Sequence, residues 1–449
     1  MKVLFSLILI VFVTIAGFSQ NLKISNDGKY LSTEKGEPFL WMGDTAWELL
    51  HRLNREETDL YLNTRLAQGF NVIQTVVLAE LDGLNTPNAY GEKPLIDNNP
   101  ELINEAYFEH VDYVMEKAQK LGLQVALLPT WGDKFNLKWG DGPVVFNSKN
   151  AETFGHILAK RYLKYDNIIW VLGGDRIPEE AVHFDIVRAM ARGIRSVDTK
   201  HLISYHPSGT KIASDYFDDK WLDIDMYQSG HSRISKEYEF IKKVDAKRPF
   251  INGEARYENI GDRFWDKSQT GWLDDADARI GGYWSMLSGT AGYTYGCNDV
   301  WQMYAIDKEP MIKARTGWSQ ALQLPGANQM KYLKALFESF PWQQMSNNQA
   351  LISSENPEDE SYIVASIGHK KDFIIAYTPT GRSIQLDFSK MKAKEVKSFW
   401  YNPRSGKSKS AGTFKTTENP VFEPWSNGWG SDFVLVVMDA NSEYQMPRF

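Results

Sequence analysis

The stretch Ile168-Ile-Trp-Val-Leu-Gly-Gly-Asp-Arg176 sets five consecutive apolar residues before two glycines and an acid. A run this short, apolar on every side chain, suits a strand buried on both faces. The glycines permit a sharp turn, so Asp175 is delivered straight from the strand end. Seven further runs share the pattern. They are Phe39-Leu-Trp-Met-Gly43, Val72-Ile-Gln-Thr-Val-Val-Leu78, Gln124-Val-Ala-Leu-Leu-Pro129 and His201-Leu-Ile-Ser-Tyr205, then Leu222-Asp-Ile-Asp-Met226, Pro249-Phe-Ile-Asn-Gly253 and Ala291-Gly-Tyr-Thr-Tyr295. Helical periodicity fills the gaps. Residues 56–68 follow the cap candidate Asn54, and residues 106–121 repeat Phe108, Val111, Val114, Met115 and Ala118 before stopping at Gly122. Further helices are expected over 151–163, 181–197, 235–244, 275–287 and 328–340. Eight strands interleaved with helices predict an α/β chain with a (β/α)8 TIM barrel over residues 39–343. A doubly wound sheet is the alternative, but no Gly-x-Gly-x-x-Gly follows the first strand.

Outside that span the pattern changes. Residues 344–449 alternate short strands such as Phe373-Ile-Ile-Ala-Tyr377 with Gly, Asn and Pro turns, which predicts a C-terminal β-sandwich. Residues 21–38 read as an N-terminal hairpin. At the start, Lys2 leads into apolar residues up to Gly17 and then into Phe18-Ser-Gln-Asn21, the layout of a cleavable signal peptide over residues 1–20. The run falls short of the roughly 20 apolar residues needed to span a bilayer. A secreted or periplasmic protein is therefore expected, with no membrane span once the leader is removed.

Composition narrows the chemistry. The chain has 449 residues, 43% hydrophobic and 24% charged, enough to bury a large core. Its net charge is −7 with no basic block, which excludes phosphate neutralisation and hence a duplex nucleic-acid partner. The one cysteine, Cys297, excludes an internal disulfide and a thiolate zinc site, and reads as a small buried hydrophobe. Asp274, Asp275 and Asp277 miss the calcium-loop spacing and suit a helix N-terminus instead. Neither a metal nor another cofactor is expected. His-Glu-x-x-His, Gly-x-Ser-x-Gly and Walker A patterns do not occur, which argues against zinc proteases, serine hydrolases and NTPases.

In a barrel of this kind the active site gathers at the C-terminal strand ends. Those ends carry Asp44 and Trp47, Glu80 and Asp82, Trp131 and Asp133, Asp175, His206, Tyr227 and Gln228, and Glu254, Arg256 and Tyr257. Two single acids directly after buried strands, Asp175 and Glu254, supply what glycosidic cleavage needs. One acid must hold a proton for the leaving oxygen while the other attacks or activates water at the anomeric carbon. Asp44, Trp47, Trp131, Asp133, His206, Tyr227, Gln228, Arg256 and Tyr257 are the candidate substrate-binding residues, the aromatics by stacking on sugar faces. Asp299 and Trp301, after the eighth run, are further rim candidates. The competing reading of either acid alone is structural: Asp175 paired with Arg176 or Arg256, Glu254 capping a loop.

Leu40-Trp-Met-Gly-Asp-Thr-Ala-Trp47, Gly69-Phe-Asn-Val-Ile73, Ile168 to Arg176, His206-Pro207 and Asn252-Gly-Glu254 together resemble the apiosidase-like family, glycoside hydrolase family 140. The tail resembles that family's C-terminal β domain, often labelled collagen-binding. The resemblance implies a secreted enzyme removing apiose from side chains of the pectin rhamnogalacturonan II. It implies Asp175 as proton donor and Glu254 as nucleophile, with a poly- or oligosaccharide as partner. Related barrel glycosidases carry Asn-Glu where this chain has Gly174-Asp175. Carboxyl separation decides the stereochemistry, about 5–5.5 Å for retention and about 6.5–9.5 Å for inversion. The alternative from another class is an inactive barrel serving as a carbohydrate-binding or adhesive surface protein.

Overall fold

Strands that alternate sides every residue need two apolar partners, a barrel interior and a surrounding helix layer, and the eight runs have both. In the computed structural model, which describes residues 20–240, 247–268 and 270–449, each run forms a strand. They are β1 (Trp41–Thr45), β2 (Val72–Leu78), β3 (Gln124–Thr130), β4 (Ile168–Gly173), β5 (Ile203–His206), β6 (Asp225–Gln228), β7 (Phe250–Glu254) and β8 (Gly292–Tyr295). All are parallel to their neighbours, in the order β5-β4-β3-β2-β1-β8-β7-β6. A parallel bridge between Ser204 and Ile224 joins the two ends of the sheet and all but closes the barrel. The apolar leader expected over residues 1–20 lies outside the described residues except for Gln20, as does the expected 235–244 helix beyond Phe240.

The helices follow from local signals. In α1 (Arg55–Ala67), Asn54 accepts from the Glu57 amide while the Glu57 carboxylate accepts from the Asn54 amide, a reciprocal cap that satisfies two orphan donors. Next come α2 (Glu105–Lys120), α3 (Ser148–Tyr162) and α4 (Ala181–Arg195). In α5 (Asp275–Ser288), Asp274 is the N-cap, so the Asp274-Asp275-Asp277 group serves a helix start. The barrel closes with α6 (Pro325–Glu338). Between β5 and β6 the helix shrinks to a single 3-10 turn, Ala213–Asp215. That leaves more loop at this sector of the rim.

The barrel interior is a separate apolar column that includes Val72, Val76, Leu128, Val171, Met226 and Ile251. At the strands' N-terminal end Leu22 and Leu31 join it from a three-stranded sheet, Leu22–Ile24, Leu31–Thr33 and Pro38–Phe39. The expected hairpin thus gains a third strand. At the other end the column reaches Trp47, Trp131, Tyr257 and Trp301. Cys297 is buried among apolar side chains, as its size and polarity favour.

After α6 the chain forms a six-stranded antiparallel sheet and a separate two-stranded one, Ile384–Gln385 with Val421–Phe422. One face of the large sheet packs with Leu386, Phe388 and Phe422 into a core of its own. Its other face, with Phe373, Ile375, Tyr377, Val434 and Val436, joins the core of the barrel helices. Tyr283 of α5 stacks on Tyr377 with centroids 4.7 Å apart, and Trp284 Nε1 donates to the Tyr362 carbonyl at 3.0 Å. Buried Arg279 donates from Nε and from its terminal nitrogen to Asp432, at 2.9 and 2.8 Å.

Candidate active site

The Gly-Gly-Asp turn sits where the sequence put it. Gly173 and Gly174 have φ of 95° and 92°, and a side chain on Gly173 would meet the His206 carbonyl at 2.4 Å. Asp175 itself lies in the left-handed region at φ 58°, a conformation Asp tolerates better than most residues. This backbone lifts the Asp175 carboxyl to the mouth of the barrel, with 26% of its side chain exposed. Glu254 arrives from the opposite side at the end of β7, just past a register shift against β6 between Asn252 and Glu254.

His206, the last residue of β5, stands between the two acids. Its Nδ1 is 3.6 Å from Asp175 Oδ1 and its Nε2 is 3.1 Å from Glu254 Oε2. A second imidazole, His231, places Nε2 2.9 Å from Glu254 Oε1. An Asp175 oxygen, a His206 nitrogen and a Glu254 oxygen all lie within 4.8 Å of one another.

These contacts drive the two acids apart. Burial, and then the charge of Glu254, push the Asp175 carboxyl up to about 6. Burial also acts against the charged form of Glu254, but His206 and His231 outweigh it and hold that carboxyl down at about 2. Burial disfavours charge on His206 too, yet Glu254 and Asp175 on either side keep its pKa above the usual imidazole value. The surroundings thus favour the protonated form of Asp175 and the ionised form of Glu254. Asp175, His206 and Glu254 also form a group compact enough to hold a cation. A cation there would need His206 deprotonated, which the flanking carboxyl groups oppose.

The cavity above the acids has a volume of about 1300 Å³. Its lining comes from the loops after the strands and includes Trp47, Trp131, Gln228, His231, Tyr257 and Trp301. Trp47 and Trp131 pack 5.1 Å apart, and the Trp47 ring meets His206 edge-on at 5.2 Å, so an indole floor fixes the imidazole. Tyr257 lies 4.3 Å from the His231 ring; burial, and then the nearby Glu254 charge, keep its phenol protonated. At the rim Trp139, Ile234, Phe264, Trp265 and Met311 are exposed apolar side chains lining the same opening. Such a fringe suits the apolar faces of sugar rings.

Of the residues expected at the site, Asp175, Glu254, Trp47, Trp131, Gln228 and Tyr257 line the cavity, and fully buried His206 supports both acids. Four others are placed elsewhere. Asp44 is fully buried, accepting from Arg65 Nε at 2.7 Å and from the Tyr61 hydroxyl, because it faces the helix layer and not the barrel interior. Asp133 is held by Lys134 Nζ at 2.8 and 2.9 Å and by the Gly142 amide at 2.9 Å. Tyr227 is stacked between Phe240 and Phe250, both at 4.6 Å, with its hydroxyl donating to Ser285. Arg256 is fully buried, donating from Nε to Glu237 at 3.0 Å and lying 3.5 Å from Asp277. Each of these satisfies a buried partner rather than a ligand. Asp299 likewise accepts from the amides of Arg315 and Thr316. The structural pairing weighed for Asp175 does not form: Arg176 donates to the Asp175 backbone carbonyl and stacks 4.0 Å above Trp139, while Arg256 is spent on Glu237.

His231 was not among the expected residues. It lies in a loop three positions beyond β6, where no strand or helix pattern marks it; its one signal is an ionisable residue close after a strand end.

The family model for an apiosidase-like catalytic domain matches residues 25–344. A model named for a collagenase's collagen-binding domain matches residues 347–438. A family 5 glycoside hydrolase from Bacteroides vulgatus ATCC 8482 is 32% identical at a TM-score of 0.88, with 96% of this chain and 95% of that one covered. Another solved glycoside hydrolase is 32% identical at a TM-score of 0.87, over 95% of this chain and 98% of that one. No curated protein matches. With the catalytic-domain match spanning most of the chain and a solved glycoside hydrolase 32% identical over nearly its whole length, the chain belongs to the apiosidase-like family and is a glycoside hydrolase.

Proposed function

We propose that this glycosidase is exported and cleaves pectic polysaccharide, releasing apiose from rhamnogalacturonan II side chains by a two-step displacement. The apolar leader before Gly17 supports export, and the apiosidase-like match supports the sugar. Among the described residues no helix is long and apolar enough to cross a membrane.

One observation carries the mechanism: one oxygen of Asp175 lies within 4.8 Å of one oxygen of Glu254, while their surroundings push the two carboxyls toward opposite protonation states. Inversion needs about 6.5–9.5 Å between carboxyl groups to admit a water, whereas retention uses about 5–5.5 Å. In this reading Glu254 attacks the anomeric carbon while Asp175 gives its proton to the departing oxygen. A glycosyl ester on Glu254 results. Asp175, now ionised, takes a proton from water as that water attacks the ester, which restores both acids. His206 and His231 hold Glu254 ionised and aimed. No metal or organic cofactor enters either step.

The pH profile tests the assignment. Asp175 must start protonated in the free enzyme, so kcat/KM is expected to hold up to about pH 6 and then to fall about tenfold per pH unit. Glu254 must start ionised; its value of about 2 puts the acid limb far below the working range. Asp175→Asn should lower kcat by about 10²–10⁴-fold on a natural sugar leaving group and remove the basic limb. A basic limb unchanged in Asp175→Asn would refute the proton-donor role. Apiose released from rhamnogalacturonan II oligosaccharides, set against a panel of other pectic side chains, tests the substrate.

A further inference from the structure

A third carboxyl faces the same cavity. Glu80 lies two residues beyond the end of β2, is 6% exposed, and lines the opening beside Trp47, Trp131, Asp175 and Glu254. Among the described residues, no hydrogen bond or ion pair to its side chain occurs, although its backbone carbonyl accepts from the Asp82 amide at 2.7 Å and faces Lys134 Nζ at 3.5 Å. The charged groups around it are mostly of its own sign. Asp175 and Arg176 approach from the loop after β4, Asp133 and Lys134 from the loop after β3, and Glu48 from the turn after β1. The cations are already committed, Lys134 to Asp133 and Arg176 to the Trp139 and Asp175 carbonyls. Burial, and then the charge of Asp175, raise the Glu80 carboxyl well above the ordinary range.

A buried carboxyl with no protein partner, aimed at a cavity, is costly unless a ligand completes it. A neutral carboxylic acid offers one O–H donor and one carbonyl acceptor, which complements a sugar hydroxyl in both directions. We propose that Glu80 is a substrate-binding residue of the cleft, exchanging paired hydrogen bonds with a hydroxyl of the sugar whose glycosidic bond is cut. It sits on the Asp175 side, so it fixes the ring relative to the proton donor without adding negative charge there. The proposal rests on the catalytic reading of this cleft, not on the identity of the sugar.

The test uses the full chain and a panel of 4-nitrophenyl pentosides and hexosides together with rhamnogalacturonan II oligosaccharides, following whichever glycoside the wild type cleaves. Glu80→Gln keeps a donor and an acceptor and should stay within a few-fold of wild type with its basic pH limb unmoved. Glu80→Ala should lose about 10²-fold in kcat/KM, with thermal unfolding checked on the same samples. If Glu80→Ala does not fold, Glu80→Asp replaces it, since it withdraws the carboxyl by one methylene and should lose activity similarly. Wild-type kcat/KM in folded Glu80→Ala would overturn the proposal. So would a basic limb displaced to lower pH in Glu80→Gln, because removing a charge beside Asp175 would then have lowered its pKa. If the wild type cleaves only glycosides without apiose, the apiose assignment fails while the Glu80 comparison still runs on those glycosides.

Discussion

Glu254→Gln is expected to lower kcat by roughly 10⁴-fold or more, because an amide can neither form nor release the glycosyl ester. The fold should survive. The two groups around this side chain, His206 Nε2 at 3.1 Å and His231 Nε2 at 2.9 Å, can each turn a lone pair or a proton toward an amide. Near-normal thermal unfolding with lost turnover is therefore the expected pair of results, read by single-turnover kinetics and calorimetry. The substitution also removes the charge that helps to raise Asp175. Any residual activity in Glu254→Gln should accordingly lose its basic limb at lower pH than wild type.

The second large effect concerns the tail. Deleting residues 345–449 would uncover Tyr283, Trp284, Met286 and Leu287 of α5, all buried against or near the large antiparallel sheet. An exposed apolar helix face of that kind drives aggregation, so the truncated barrel is expected to be insoluble or unfolded. A milder probe is Asp432→Ala, which strips buried Arg279 of its two-pronged partner. Breaking a buried pair costs about 3–5 kcal/mol. The low end, about 3 kcal/mol, is expected because Asp275 and Gln329 still accept from Arg279. Chemical denaturation of the full chain would measure it. A truncated barrel that folds and keeps full activity would contradict the structural role, and one that folds but loses substrate binding alone would favour recognition.

The strands were legible because a strand buried on two sides needs an unbroken apolar run. Asp175 was legible for a related reason: Gly173 and Gly174 both adopt positive φ, which announces a turn the sequence can show. Asp44 and Tyr227 share a different cause. Side chains alternate across a strand, and Trp41 joins the interior column while Asp44, three positions on, points to the helix layer and Arg65. Likewise Met226 is interior and its neighbour Tyr227 is not. A strand end is visible in the sequence, but which face each end residue takes depends on the parity of its position. Parity alone would not have sufficed for Glu254, since the register shift beside it resets the alternation. His231 and the aromatic rim at Phe264 and Trp265 lie in long loops, whose course depends on tertiary packing that no local pattern encodes.

The account centres on Asp175 and Glu254 acting together as donor and nucleophile across one barrel mouth. NMR of the sugar at the moment of release, before its anomers equilibrate, tests this most directly. Net retention of anomeric configuration is the predicted result, as a glycosyl ester on Glu254 requires two displacements. An inverted product would contradict it, for then a water, and not Glu254, would have made the attack.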